Sequence, residues 1–236
     1  MIKKIEGIVV KELTYKETSK IIDVYTKDGI YSVIAKGAKR IKSPFFSGTN
    51  FLSYGEFCIY EKDNLSTLKS VDLKDNFKNI LKDILRLSAA TYVINLAIQI
   101  YKQNNNSDIY KLLIASLNKL NSNINPLGIV NIFEIKMLAY LGLHLNLDEC
   151  RICGSKNIVY LSLDYSGYLC NNCTDSRMNP KMLKLIKIYN KVDINKIDKL
   201  EVDSKLLISI NKFIDEYYEK YTGLYLKSKN FFIKLL

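Results

Sequence analysis

Four cysteines carry the most specific chemistry in this chain. Cys150 and Cys153 form one Cys-x-x-Cys pair, Cys170 and Cys173 form a second, and 16 residues lie between Cys153 and Cys170. This is the spacing of a four-cysteine zinc site, in which each pair turns tightly enough to aim two thiolates at one ion. Four sulfurs close a tetrahedron at about 2.3 Å and leave no position for water or substrate, so the expected zinc is structural. Disulfides would need an oxidising compartment, and Met1-Ile2-Lys3-Lys4-Ile5-Glu6-Gly7 has no apolar export segment after its basic residues. A redox Cys-x-x-Cys stands alone beside a βαβ pattern, whereas this motif is doubled. A base deaminase would need His-x-Glu ahead of Pro-Cys-x-x-Cys. The single histidine, His144, lies in the apolar run Gly142-Leu143-His144-Leu145 and reads as a packing residue.

The elements that position this site come from a chain of 236 residues with net charge +11 and a pI near 9.2. That balance selects a polyanionic partner, either nucleic acid or an anionic membrane surface. The most apolar helical stretch, Ala89 to Ile100, is interrupted by Thr91, Asn95 and Gln99 and reads as too short to span a bilayer. A soluble, cytoplasmic protein is expected. Cys58, in Glu56-Phe57-Cys58-Ile59-Tyr60, reads as a small core hydrophobe.

From Gly7 to about Asp75 the apolar period is two. Strands are expected over Gly7–Leu13, Lys20–Lys27, Ile30–Gly37, Asn50–Glu61 and Ser66–Leu73, with Asp28-Gly29 as a hairpin turn. Five short strands in such a stretch fit an OB-fold β-barrel, and an SH3-like barrel satisfies the same pattern. Between Asp28 and Glu56 there is no acidic residue, while Lys36, Lys39, Arg40 and Lys42 supply four positive charges. A positive groove with aromatic platforms is how OB surfaces hold single strands. Phosphate contact is therefore expected of these four residues, against the alternative of a solvated loop. Phe45 and Phe46 read as plugs of the barrel rather than as base-stacking groups.

Beyond Phe77 the period becomes helical. One long, central helix is expected through Ile80, Leu81, Ile84, Leu85, Ser88, Tyr92, Leu96 and Ile100. Ser107 reads as the cap of a second helix, Pro126 as the start of a third that ends at Gly142, and Asn179-Pro180 and Asp203-Ser204 as the starts of two more. The expected organisation is α+β and multidomain. An OB-fold nucleic-acid-binding domain spans 1–78, and a helical domain spans 79–236 with a zinc-binding insertion at 147–176. Neither Gly-x-x-x-x-Gly-Lys-[Ser/Thr] nor Gly-x-Gly-x-x-Gly occurs. No nucleophile–histidine pair or acid/base carboxylate pair stands out either, so a binding protein rather than an enzyme is expected.

At this point the residues resemble a known family, the RecO family of bacterial recombination mediator proteins. Gly7-Ile8-Val9-Val10 with Tyr15-Lys16-Glu17-Thr18-Ser19-Lys20-Ile21 is similar to its first strand and turn, and Lys36-Gly37-Ala38-Lys39-Arg40 to its basic loop. Gly142-Leu143, with Leu147-Asp148-Glu149-Cys150-Arg151-Ile152-Cys153-Gly154, resembles its entry into the zinc knuckle; Leu145 stands where many members have proline. Gly223 and Leu226-Lys227-Ser228 resemble its C-terminal signature. The resemblance implies an N-terminal OB domain and a helical zinc domain. It also implies binding to single- and double-stranded DNA and annealing of complementary strands without ATP. Its implied partners are RecR and the C-terminal tail of single-strand binding protein, in support of RecA loading during DNA repair.

Overall fold

The computed structural model describes residues 1–236. The chain forms two compact units, residues 1–82 with 105–111, and residues 83–104 with 112–236.

The first unit is a closed barrel of five strands in the order β1-β2-β3-β5-β4, formed by β1 (Ile2–Tyr15), β2 (Ser19–Thr26), β3 (Gly29–Ala35), β4 (Tyr54–Tyr60) and β5 (Ser66–Asp75). It is OB-like. β1 is twice as long as β3 because it serves two neighbours: Ile2–Ile8 pair with β4 and Gly7–Tyr15 with β2, with an irregularity in register between Val9 and Lys11. A bulge at such a point bends a strand and lets a barrel close. Gly7 and Gly55 face each other across β1 and β4. A Cβ on Gly7 would stand 2.6 Å from Tyr25 O, and one on Gly55 would stand 2.2 Å from Asp72 O. The bare backbones of Gly7 and Gly55 therefore let β2 and β5, respectively, pack close to this pair of strands. Ile5, Val9, Ile22, Val24, Val33, Phe57, Ile59 and Leu68 fill the interior.

The expected hairpin is present, shifted by one residue: Thr26 pairs with Gly29, so Lys27 and Asp28 make the turn and Gly29 opens β3. Cys58 corrects its sequence reading. It sits half-buried between the fully buried Phe57 and Ile59, so the pleat turns it to the outer face.

Beyond the barrel the chain is mostly helical, with residues 78–82 and 105–111 still belonging to the first unit. The single long helix expected from Ile80 onward is broken into α1 (Lys78–Leu81) and α2 (Ile84–Asn104). The cause is Asp83, whose carboxylate accepts hydrogen bonds from the backbone N–H groups of Leu85 and Arg86 and so starts a new helix. At 21 residues α2 is long and apolar enough to cross a membrane, contrary to the sequence reading, but Ala89, Val93, Leu96, Ala97 and Ile100 are buried against neighbouring protein. α3 (Ser107–Asn121) is capped by Asn106, whose side chain accepts from Asp108 N, and not by Ser107. The most buried helix is α4 (Pro126–Tyr140): from Pro126 to Leu138 only Lys136 is not buried. Asn125 caps it through Leu127 N and Gly128 N. A two-stranded sheet of β6 (Ile158–Ser162) and β7 (Gly167–Cys170) follows, then α5 (Pro180–Lys191), α6 (Ser204–Thr222) and α7 (Lys227–Ile233). Asn179 and Asp203 cap α5 and α6 as expected. α2 and α6 pack on α4, and α7 packs on α2.

Candidate metal centre and nucleic-acid interface

The cysteine quartet is assembled by two short loops against one hairpin. In the first loop Gly154 N donates to Cys150 O at 2.9 Å and Cys150 N to Ser155 O at 2.8 Å, with Gly154 in the left-handed region at φ +75°. In the second, Cys173 N donates to Cys170 O at 3.0 Å at the end of β7. The loops are tied together where Arg151 N donates to Tyr168 O. Ahead of them, Asn146 exchanges hydrogen bonds with Ser166 and Tyr168, and a Cβ on Gly167 would stand 2.8 Å from Asn146 O. The hairpin is seated on α5 through the Tyr168 hydroxyl, which donates to Leu183 O.

These constraints bring the four sulfurs within 4.8 Å of one another. The Cys153 and Cys170 sulfurs are 3.5 Å apart, well beyond a disulfide bond. A tetrahedral ion with arms of about 2.3 Å needs sulfur–sulfur edges near 3.8 Å, so the cluster has the dimensions of a four-thiolate site. Its donor set is sulfur alone, with Cys150 and Cys170 buried, Cys173 half-buried and Cys153 exposed. Burial opposes ionisation of Cys150, yet the backbone N–H groups of Cys153, Ile152 and Cys170 outweigh it and hold its thiol down to about 6. Cys173 goes the other way: its hydrogen bond to Cys153, with burial second, pushes it up to about 12. Four thiolates this close repel one another, and a divalent cation is the group that relieves the conflict. The residues fit a structural zinc. His144 is exposed and takes no part, so its reading as a packing residue is corrected.

The basic loop between β3 and β4 is pinned at both ends. Ala38 is fully buried in the barrel, Gly37 N donates to Ser19 Oγ, and Lys39 N donates to Thr18 O at 2.9 Å. Farther along, Phe45 packs against the barrel core, and its carbonyl accepts from Thr49 Oγ1 at 2.7 Å. Between these anchors Lys39, Arg40, Ile41 and Lys42 stand exposed, with Lys36 just before them. None of the four cations is among the ion pairs of the barrel, which involve Lys3, Lys4, Lys20 and Lys74. The two phenylalanines separate: Phe45 is the plug, while Phe46 is 43% exposed. Ile41 is 86% exposed among the charges. The loop offers cations with nearby apolar groups and no carboxylate.

Sequence reasoning missed one polar cluster. Glu134 on α4 is completely buried, where it accepts from Tyr92 OH at 2.5 Å and Asn211 Nδ2 at 3.1 Å and pairs with Lys229 of α7. Lys229 also pairs with Asp215. Beside this cluster a cleft of roughly 620 Å³ opens between α2, α6 and α7. Glu134 and Lys229 lie 95 positions apart, and no local signal in the sequence joins them.

The architecture is that of an OB-like barrel followed by a helical domain with a four-cysteine cluster. Residues 1–77 match the family described as "Recombination protein O N terminal", and residues 81–230 match "Recombination protein O C terminal". Among curated relatives, the DNA repair protein RecO of Listeria monocytogenes serotype 4b is 33% identical over 97% of this chain and 92% of its own length. That of Bacillus pumilus is 30% identical over 98% of this chain and 93% of its own. The RecO of Halalkalibacterium halodurans is 28% identical over the full chain and 96% of its own length. The chain belongs to the RecO family.

Proposed function

We propose that this protein is a non-catalytic mediator of DNA repair and homologous recombination. In this reading Lys36, Lys39, Arg40 and Lys42 hold the phosphate backbone of single- and double-stranded DNA. The observation that carries it is the pinned loop, in which Lys39, Arg40 and Lys42, without ion pairs, are held outward between the buried Ala38 and the partly buried Phe45, with Lys36 just before them. Phosphate contacts of this kind are independent of sequence and release counterions. Cys150, Cys153, Cys170 and Cys173 would hold a structural zinc, which supplies cross-linking of the two loops and no reaction step.

Complementary strands bound to such a surface repel each other less, so annealing proceeds without ATP. Family resemblance supports the remaining partners: RecR, the C-terminal tail of single-strand binding protein, and through them RecA. The test is a gel-shift or filter-binding series with single-stranded DNA across salt concentrations. Each of the four contacts is expected to contribute about 0.7 to the slope of log K against log salt. Lys39→Ala with Arg40→Ala should flatten the slope by roughly 1 to 2. A wild-type protein without salt-sensitive DNA affinity would refute the reading.

A further inference from the structure

Between Asp175 and Asp193 the chain has no acidic residue but five cations, Arg177, Lys181, Lys184, Lys187 and Lys191. The four lysines lie on α5 at spacings of three, three and four, which aligns them along one face. The opposite face, with Met182, Leu183, Ile186 and Tyr189, is buried in the helical unit. From Lys181 to Lys191 the row spans about 15 Å.

The charges in this row are not equivalent. Asp148, two residues before Cys150 in the first cysteine loop, accepts at 3.1 Å from Lys187 and at 2.9 Å from Lys191 through the same carboxylate oxygen. Lys181 and Lys184 are exposed and have no ion pair. One carboxylate therefore neutralises part of the C-terminal half of the row, and the N-terminal half is left open.

We infer that the solvent face of α5 is a second nucleic-acid backbone site, carried by Lys181 and Lys184, and that Asp148 restrains it by occupying Lys187 and Lys191. This inference rests on the DNA-binding reading above and deepens it. A row of cations spaced about 5 Å apart on a rigid helix suits a polymer of regularly placed phosphates. An anionic membrane suits it less, because an interfacial helix must insert its apolar face, and that face of α5 is buried. The site belongs to the helical unit alone, so one chain would carry a second strand-binding surface and could hold both strands to be annealed.

The tests are Lys181→Ala with Lys184→Ala and, separately, Asp148→Asn, on full-length protein with a mixed-sequence single-stranded oligonucleotide. Zinc content and melting are followed as controls for the cysteine loops. The double variant should lose about 1.4 from the salt slope, and affinity at 0.1 M salt should fall on the order of tenfold. Asp148→Asn, which frees two lysines, should raise affinity several-fold and steepen the slope, an outcome that a merely structural carboxylate does not give. An unchanged slope in Lys181→Ala/Lys184→Ala, alongside a flattened one in Lys39→Ala/Arg40→Ala, would overturn the second site and leave the first standing. Loss of binding to anionic phospholipid vesicles without loss of DNA affinity would overturn it in favour of a membrane. If neither double variant alters a salt-dependent wild-type affinity, both sites are wrong.

Discussion

Lys229, on the last helix of the chain, brings its ammonium group to the carboxylate of Glu134, a side chain with no solvent exposure. The pair fastens α7 over α2 and α4, with Tyr92 and Asn211 completing the carboxylate's hydrogen bonds. Breaking a buried pair from one side leaves an uncompensated charge, so Lys229→Met should destabilise the protein by about 3 to 5 kcal/mol in chemical denaturation. Glu134→Gln combined with Lys229→Met should recover part of that loss, because it leaves no buried charge behind and Asp215, which also loses its partner, is solvent-accessible.

The same pair predicts a pH dependence. Burial raises the Glu134 pKa above its ordinary value, and the neighbouring Lys229 pulls it back without cancelling the shift. A carboxyl that binds its proton more tightly in the folded state contributes stability below its unfolded pKa, and loses that contribution as pH rises through its folded value. Without Lys229 the loss at neutral pH is larger. The Lys229→Met deficit should therefore shrink as the pH falls from 7 towards the ordinary carboxylate range. A deficit that grows on acidification would contradict this account.

Freshly purified protein is expected to contain one zinc per chain, measured by elemental analysis. Metal affinity and folding are linked, because the thiolates converge only when both loops are formed. Cys170→Ser should abolish metal binding and destabilise the helical unit more than the barrel, as resolved by hydrogen exchange. Chelation of the wild-type protein should have the same pattern. Normal melting of metal-free protein would reject a structural role.

Much of the helical framework was legible because its signals are local. Pro126, Asn179-Pro180 and Asp203-Ser204 each stand at the start of the helix they announce, and the spacing of the cysteine pairs anticipates their convergence. Asp83 escaped because Ile80 and Ile84 keep helical spacing across the break, so the apolar period hides the cap. Cys58 escaped for the opposite reason: Phe57, Cys58 and Ile59 are all apolar, and only the β4 register decides which of them faces out. The ion pair between Glu134 and Lys229 was invisible because its partners lie 95 positions apart and neither carries a local signal that points to the other.

Phe45 and Phe46 provide a test of whether the basic loop touches bases. Phe45→Ala removes a plug from the barrel core and should cost about 2 kcal/mol of stability or more. Phe46→Ala removes an exposed ring, so stability should change by less than about 0.5 kcal/mol. If Phe46 stacks on a base, its loss should weaken single-strand binding by about 1 to 3 kcal/mol, with little effect on the salt slope. Unaltered affinity in Phe46→Ala would confine the loop to phosphate contact.

Annealing is expected to need no nucleotide. Base pairing supplies about 1.4 kcal/mol per stacked step, so the obstacle is the approach of two phosphate backbones rather than the energy of the duplex. Cations that neutralise both strands lower that obstacle, and a chain of net charge +11 carries them in excess. The acidic tail of single-strand binding protein would be drawn to the same charge, concentrating the annealer on coated strands. Annealing of complementary oligonucleotides without ATP should accelerate on naked DNA and on strands coated with intact single-strand binding protein, and should slow when the coating protein lacks its tail. Equal rates with intact and tail-deleted coats would reject recruitment through the tail. No acceleration on naked DNA would reject annealing itself.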